Sequence, residues 1–68
     1  MELNQKIDLF LSQNKLTNED FNFSSLDLVG FAVKIEKHFN IEFTLDEVTQ
    51  ENLGNKSALK ALLIKKIN

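Results

Sequence analysis

The stretch from Phe23 to Phe39 constrains this chain more than any other, because it opens on two serines and then runs as one uninterrupted helical pattern. Ser24 is suited to cap a helix, since its side-chain oxygen can accept from a backbone N–H that the first turn leaves without a partner. Asp27, three residues on, completes an S-x-x-D start of the capping-box type, and Phe23 and Leu28 occupy the positions of a hydrophobic staple. With Ser24 as cap, Ser25 is the first helical residue and holds its hydroxyl at the positive end of the helix dipole, where an attached phosphate is favoured.

At about 100° per residue, Leu28, Phe31, Ala32, Ile35 and Phe39 share a face of the width expected for a core-facing stripe. Leu26, Val29 and Val33 form a second, narrower apolar stripe, while Asp27, Gly30, Lys34, Lys37 and His38 fill the remaining side. Two readings of the second stripe stand side by side. Either a small bundle covers both stripes, or the second is a surface for a partner or a tethered group.

The residues on either side read as support for this helix. Glu2 to about Asn14 carries Leu3, Ile7, Phe10 and Leu11 at helical spacing, with Glu2 in the first turn and Leu9 off the stripe. Lys15 to Phe23 reads as a long loop held to the core by Leu16, Phe21 and Phe23. Asn40 is a helix stop, and Ile41-Glu42-Phe43 is an extended segment that turns Ile41 and Phe43 inward. Thr44-Leu45-Asp46-Glu47 fits a T-x-x-E helix start, and Thr49 to Leu53 adds a further turn before Gly54. Asn55 or Ser57 then starts a last helix, with Leu59, Leu62, Leu63 and Ile67 on one stripe and Lys65 and Lys66 at its C-terminal end. The expected fold class is all-α, a small four-helix bundle of three main helices and one short one, in a single domain spanning residues 1–68.

Ser25-Leu26-Asp27-Leu28-Val29, followed by the helix ending His38-Phe39 and then Ile41-Glu42-Phe43, resembles the acyl and peptidyl carrier protein family, and the resemblance covers nearly the whole chain. A serine directly before a leucine is uninformative alone; the signal is that pair at a helix start, with core spacing through Phe39 and a final amphipathic helix at the family's distance. The resemblance implies an acyl-carrier-protein-like bundle whose long first loop presents Ser25. It also implies that Ser25 carries covalent 4′-phosphopantetheine, donated by coenzyme A through a phosphopantetheinyl transferase, with acyl or aminoacyl groups held as thioesters on the cofactor's thiol. Ser24, Leu26, Asp27, Val29 and Val33 would then form the surface met by that transferase and by loading and downstream biosynthetic enzymes. The chain departs from the family where Ser24 replaces a frequent aspartate and where Gly30, Lys34 and Lys37 make this helix less acidic than in many fatty-acid carriers. The expected function is a freestanding, non-catalytic carrier. The competing expectation is an unmodified helical interaction domain that binds a protein through Leu26, Val29 and Val33.

Composition narrows the classes further. A chain of 68 residues allows one small domain without a deep enclosed active site, and the absence of cysteine removes disulfides and thiolate nucleophiles. A net charge of −2 with scattered basic residues speaks against a nucleic-acid surface, and no aromatic residues interleave Lys56, Lys60, Lys65 and Lys66. No apolar run approaches the roughly 20 residues that span a bilayer, and the expected setting is a cytoplasmic monomer. A serine hydrolase would pair Ser25 with the single His38, but thirteen residues on one helix put them about 20 Å apart. A metal site would draw on His38, Asp46 and Glu47 without recognised ligand spacing. Asp46, Glu47 and Glu51 read as a solvated helix start or as an acidic docking patch, and Lys56, Lys60, Lys65 and Lys66 as a solvated surface.

Overall fold

The computed structural model describes residues 2–67, and over that span the chain is all-helical. Helix α1 spans Leu3–Gln13, α2 Ser25–Phe39, α3 Gln50–Leu53 and α4 Lys56–Ile67, with a 3-10 turn at Leu45–Glu47 between α2 and α3. The architecture is a small helical bundle in which α1 packs on α4, α2 on α3, and α3 on α4. Aromatic rings join α1 to α2: Phe10 stacks on Phe31 with centroids 6.1 Å apart and meets Phe39 edge-on at 5.6 Å.

The core is Ile7, Phe10 and Leu11 from α1, Phe21 from the long loop, Phe31, Ala32 and Ile35 from α2, Leu53 from α3, and Leu59 and Leu63 from α4. The stripe that faces inward on α1 is the one the spacing indicates, with Leu3 half-buried at its start. The helix begins one residue later than its pattern suggests. Glu2 takes the cap position in extended backbone, makes no side-chain capping bond, and so does not act as a first-turn acid.

The long loop is held by more than its apolar residues. Phe21 donates its backbone N–H to the Gly54 carbonyl at 2.7 Å, and Lys56 donates to the Glu19 carbonyl at 2.7 Å. These bonds flank an isolated antiparallel bridge between Asp20 and Asn55. Side chains extend the contact. Asn55 Nδ2 donates to Asp20 Oδ1 at 2.8 Å, Ser57 donates from both its backbone N–H and its hydroxyl to Glu19 Oε2, and Gln50 Nε2 donates to the Phe21 carbonyl. Gly54 is required here: a Cβ would meet the Gln50 side chain and lie 2.7 Å from the Gln50 carbonyl oxygen. The residue that starts α4 is Asn55, whose Oδ1 accepts from Ala58 N–H at 2.9 Å.

After α2 the chain stops as its asparagine dictates. Asn40 adopts the left-handed conformation with φ 57°, and the next residue, Ile41, donates to the Glu36 carbonyl in the long bond of a Schellman end. Glu36 also accepts the Phe43 N–H on its carboxylate at 2.8 Å, fixing the extended segment with Ile41 and Phe43 half-buried against the core.

The region expected as one short helix is two pieces. Glu47 accepts the Thr44 N–H and closes a start that lasts only three residues, and Thr49 then caps α3 through Asn52 N–H at 3.2 Å. On α4, Leu59 and Leu63 are fully buried and Leu62 and Ile64 half-buried, but Ile67 is 38% exposed. The expected stripe therefore fails at its last member. The final turn runs to the edge of the core, where Ile67 lines an open groove with Leu3, Leu9 and Phe39.

The Glu19 carboxyl is held below its ordinary value of 4.5 by hydrogen bonds from the Ser57 hydroxyl and backbone N–H. A lowered carboxyl pKa adds stability above the unfolded value that is lost as pH falls through the folded one. Glu19→Gln should accordingly lower the melting midpoint at neutral pH, and the gap to the parent protein should narrow as pH drops below about 4.5. Thermal unfolding followed by circular dichroism across pH 3–7 checks this, and a gap independent of pH would remove Glu19 from that role.

Candidate functional site

The start of α2 is built as its residues require. Ser24 Oγ accepts the Asp27 N–H at 3.2 Å, and Asp27 Oδ2 accepts the Ser24 N–H at 3.1 Å, so both halves of the capping box are made. Phe23, before the cap, and Leu28, in the first turn, are both half-buried against the core, which fixes the angle at which the chain enters the helix. Phe23 sits between Phe21 and Phe31, with centroids 5.8 and 4.9 Å away. The loop bonds that anchor Phe21 therefore anchor the beginning of α2 as well.

On this support Ser25 is the first residue of α2 and its side chain is exposed. The box satisfies the N–H groups of Ser24 and Asp27. Helical geometry leaves those of Ser25 and Leu26 without intrahelical acceptors, so two donors and the positive helix end lie beside the Ser25 hydroxyl. Asp27, two residues on, accepts the Ser24 N–H on its Oδ2. This arrangement can tolerate and orient a phosphoryl group on Ser25. His38 lies at the other end of the same helix, where its ring packs on Phe10 and Phe39 at 4.7 and 4.8 Å between centroids.

The two stripes of α2 separate cleanly. Phe31, Ala32 and Ile35 are buried and Leu28 and Phe39 half-buried, whereas Leu26 is 84%, Val29 56% and Val33 42% exposed. The second stripe is thus left uncovered by the described residues of the chain. Ser24, Asp27, Gly30, Lys34 and Lys37 are exposed around it.

The other candidate groups do not assemble. Glu47 is not part of a free acidic patch: Lys66 Nζ lies 2.8 Å from its carboxylate, and its pKa is lowered by that contact and by the Thr44 N–H. Lys60 is similarly engaged, 2.6 Å from Asp8. Among the described residues no three His, Cys, Asp or Glu side chains gather as a metal site would require, and no helix is long and apolar enough to cross a membrane.

Two features of the surface escaped the sequence pattern. Leu45 is 91% exposed, the most exposed large apolar side chain described. Its signal was its place inside a T-x-x-E start, where a turn of three residues offers no buried face. The other is an open groove beside the start of α2, between the long loop and the helix, lined in part by Leu16, Phe23, Leu26, Gly30 and Phe31.

Comparison of the chain with models of known families, with curated proteins and with solved structures finds no match.

Two variants check the construction of the site. Ser24→Ala should cost about 0.5–2 kcal/mol of stability through loss of the cap. Gly30→Ala should raise stability by roughly 0.5–1 kcal/mol, because nothing lies within 4 Å of the added methyl. Chemical denaturation measures both; an unchanged midpoint for the first, or a loss for the second, would contradict the described geometry.

Proposed function

We propose that this chain is an acyl or peptidyl carrier domain that bears 4′-phosphopantetheine on Ser25. The observation that carries the reading is the exposed Ser25 at the first position of a fully capped α2, followed directly by the exposed Leu26. The family resemblance of the Ser25–Val29 stretch supports it, as does the all-helical order of a long first loop, a central helix and a closing helix.

When attached, the cofactor supplies a terminal thiol on which acyl or aminoacyl groups are held as thioesters. The chain's own part is that of an anchor and a docking surface. Ser25 would give up its hydroxyl proton to a priming transferase as its Oγ bonds to the pantetheine-side phosphorus of coenzyme A and the pyrophosphate bond breaks, releasing adenosine 3′,5′-bisphosphate. The first-turn N–H groups without intrahelical acceptors would favour the negative charge of the phosphoryl group left on Oγ. Ser24 and Asp27 hold that turn in place. Leu26, Val29 and Val33 give the priming, loading and downstream enzymes an apolar surface that starts one residue from the anchor. With neutral Gly30 and cationic Lys34 alongside, docking would rest on apolar contact more than on ion pairs and would respond weakly to salt.

The same exposed stripe would serve an unmodified interaction domain, and modification separates the two readings. Coexpression with a broad-specificity phosphopantetheinyl transferase should raise the intact mass by one phosphopantetheine group. Ser25→Ala should abolish the increase while Ser24→Ala retains it. An unmodified parent protein, or modification that survives Ser25→Ala, would refute the assignment.

The docking surface has its own test. Val29→Asp should keep the helical circular-dichroism signal but be primed about tenfold or more slowly, the effect of losing about 1.4 kcal/mol of contact energy. Priming at the parental rate would move the contact elsewhere.

A further inference from the structure

Gly30 is a residue of α2 whose identity the packing of the fold does not explain. It lies in the middle of the helix, is exposed, has no positive φ, and has open space where a Cβ would stand. Neither backbone conformation nor close packing demands glycine there, and a glycine at an exposed helix-interior site weakens the helix. What its missing side chain does provide is room. Gly30 lines the open groove between the long loop and α2, and a larger residue would stand in that space.

The groove lies close to the anchor in the chain. Its lining on α2 runs from Leu26, the residue after Ser25, to Lys34, whose Nζ donates to Asn14 Oδ1 at 3.4 Å. That is about 12 Å of helix at 1.5 Å per residue. Half-buried Leu16 and Phe23 and buried Phe31 give it apolar lining, and Asn22 adds an exposed side-chain amide. It therefore offers apolar surface and amide hydrogen bonding side by side, which suits a slender chain of methyl, methylene and amide groups.

Resting on the assignment of Ser25 as the attachment residue, we propose that the pantetheine arm lies along this groove and that Gly30 keeps the groove open for it. A group tethered one residue from the groove's near end is present at high effective concentration, so weak contacts suffice to seat it. Phe23 and Phe31 would meet the arm's methyl groups and Asn22 its amides. The arm would leave this seat when a partner enzyme takes it up.

The test compares amide spectra of the ¹⁵N-labelled protein before and after priming with coenzyme A and a broad-specificity transferase, with intact mass recording the extent of modification. In the fully primed protein, amide shifts should change at Leu16, Asn22, Gly30 and Phe31 as well as next to Ser25. In Gly30→Gln, which adds a good helix former into open space, the mass increase and the helical signal should persist while the changes at Leu16, Asn22 and Phe31 disappear. Alkylation of the arm's thiol by iodoacetamide should be severalfold faster in that variant than in the parent. Full priming with shift changes confined to Ser24–Leu28, or a Gly30→Gln protein that keeps the whole pattern and the parental alkylation rate, overturns the groove proposal and leaves Ser25 assigned. Absence of any mass increase overturns both.

Discussion

The interaction on which the rest depends is the strap that joins the long loop to the junction of α3 and α4. Its backbone bonds, Phe21 N–H to Gly54 and Lys56 N–H to Glu19, are 2.7 Å each. The Glu19, Asp20, Gln50, Asn55 and Ser57 side chains close around them. A loop this long in so small a domain would otherwise leave polar backbone unpaired against the core and keep most of its conformational entropy. Tied down at its midpoint, it delivers Phe21 to the core and Phe23 to the side of Phe31. The strap therefore sets where α2 begins, and with it where Ser25 stands.

From that fixed start, the sequence of α2 divides two tasks between two faces. One face brings Phe31, Ala32 and Ile35 into a core built with α1, α3 and α4. The other leaves Leu26, Val29 and Val33 outside. An apolar stripe beginning beside an exposed serine at a capped helix end is costly to leave in water unless something covers it part of the time. The carrier reading gives that stripe, the serine and the open groove at Gly30 one common use: an anchored arm that is seated, presented and withdrawn.

Local chemistry was legible in the sequence, and long-range pairing was not. The bounds of α2, its capping box and its stop at Asn40 all depend on residues within five positions of one another, so spacing alone reveals them. For the start of α4 spacing left Asn55 and Ser57 as alternatives, and the bond from Ala58 N–H to Asn55 Oδ1 decides for Asn55. The strap leaves no periodic trace, since Gln50 reaches back 29 residues to Phe21 and Ser57 reaches back 38 to Glu19. Glu47 looked like a member of an acidic group because Asp46 and Glu51 are near it in the chain, yet Lys66 from the far end of α4 neutralises it. Ile67 has the right spacing for a core residue, but spacing does not show where a core ends, and there it is partly exposed. At the candidate site, the exposure of Leu26, Val29 and Val33 was one of two readings of the pattern, and only the packing of the other helices decided between them. Gly30 read as a missing acid; its open surroundings give it a different meaning.

The central physical claim is that the loop before α2 is a fixed strut that holds the serine in place. Amide hydrogen exchange followed residue by residue measures this directly. The Phe21 and Lys56 amides should exchange as slowly as those in the buried turns of α1 and α4, while Asn18 in the same loop and Ser25 and Leu26 at the open end of α2 should exchange fast. If Phe21 and Lys56 exchange at the rate of an unstructured peptide while α1 and α4 stay protected, the strap does not hold the loop, and the account of how Ser25 is positioned is wrong.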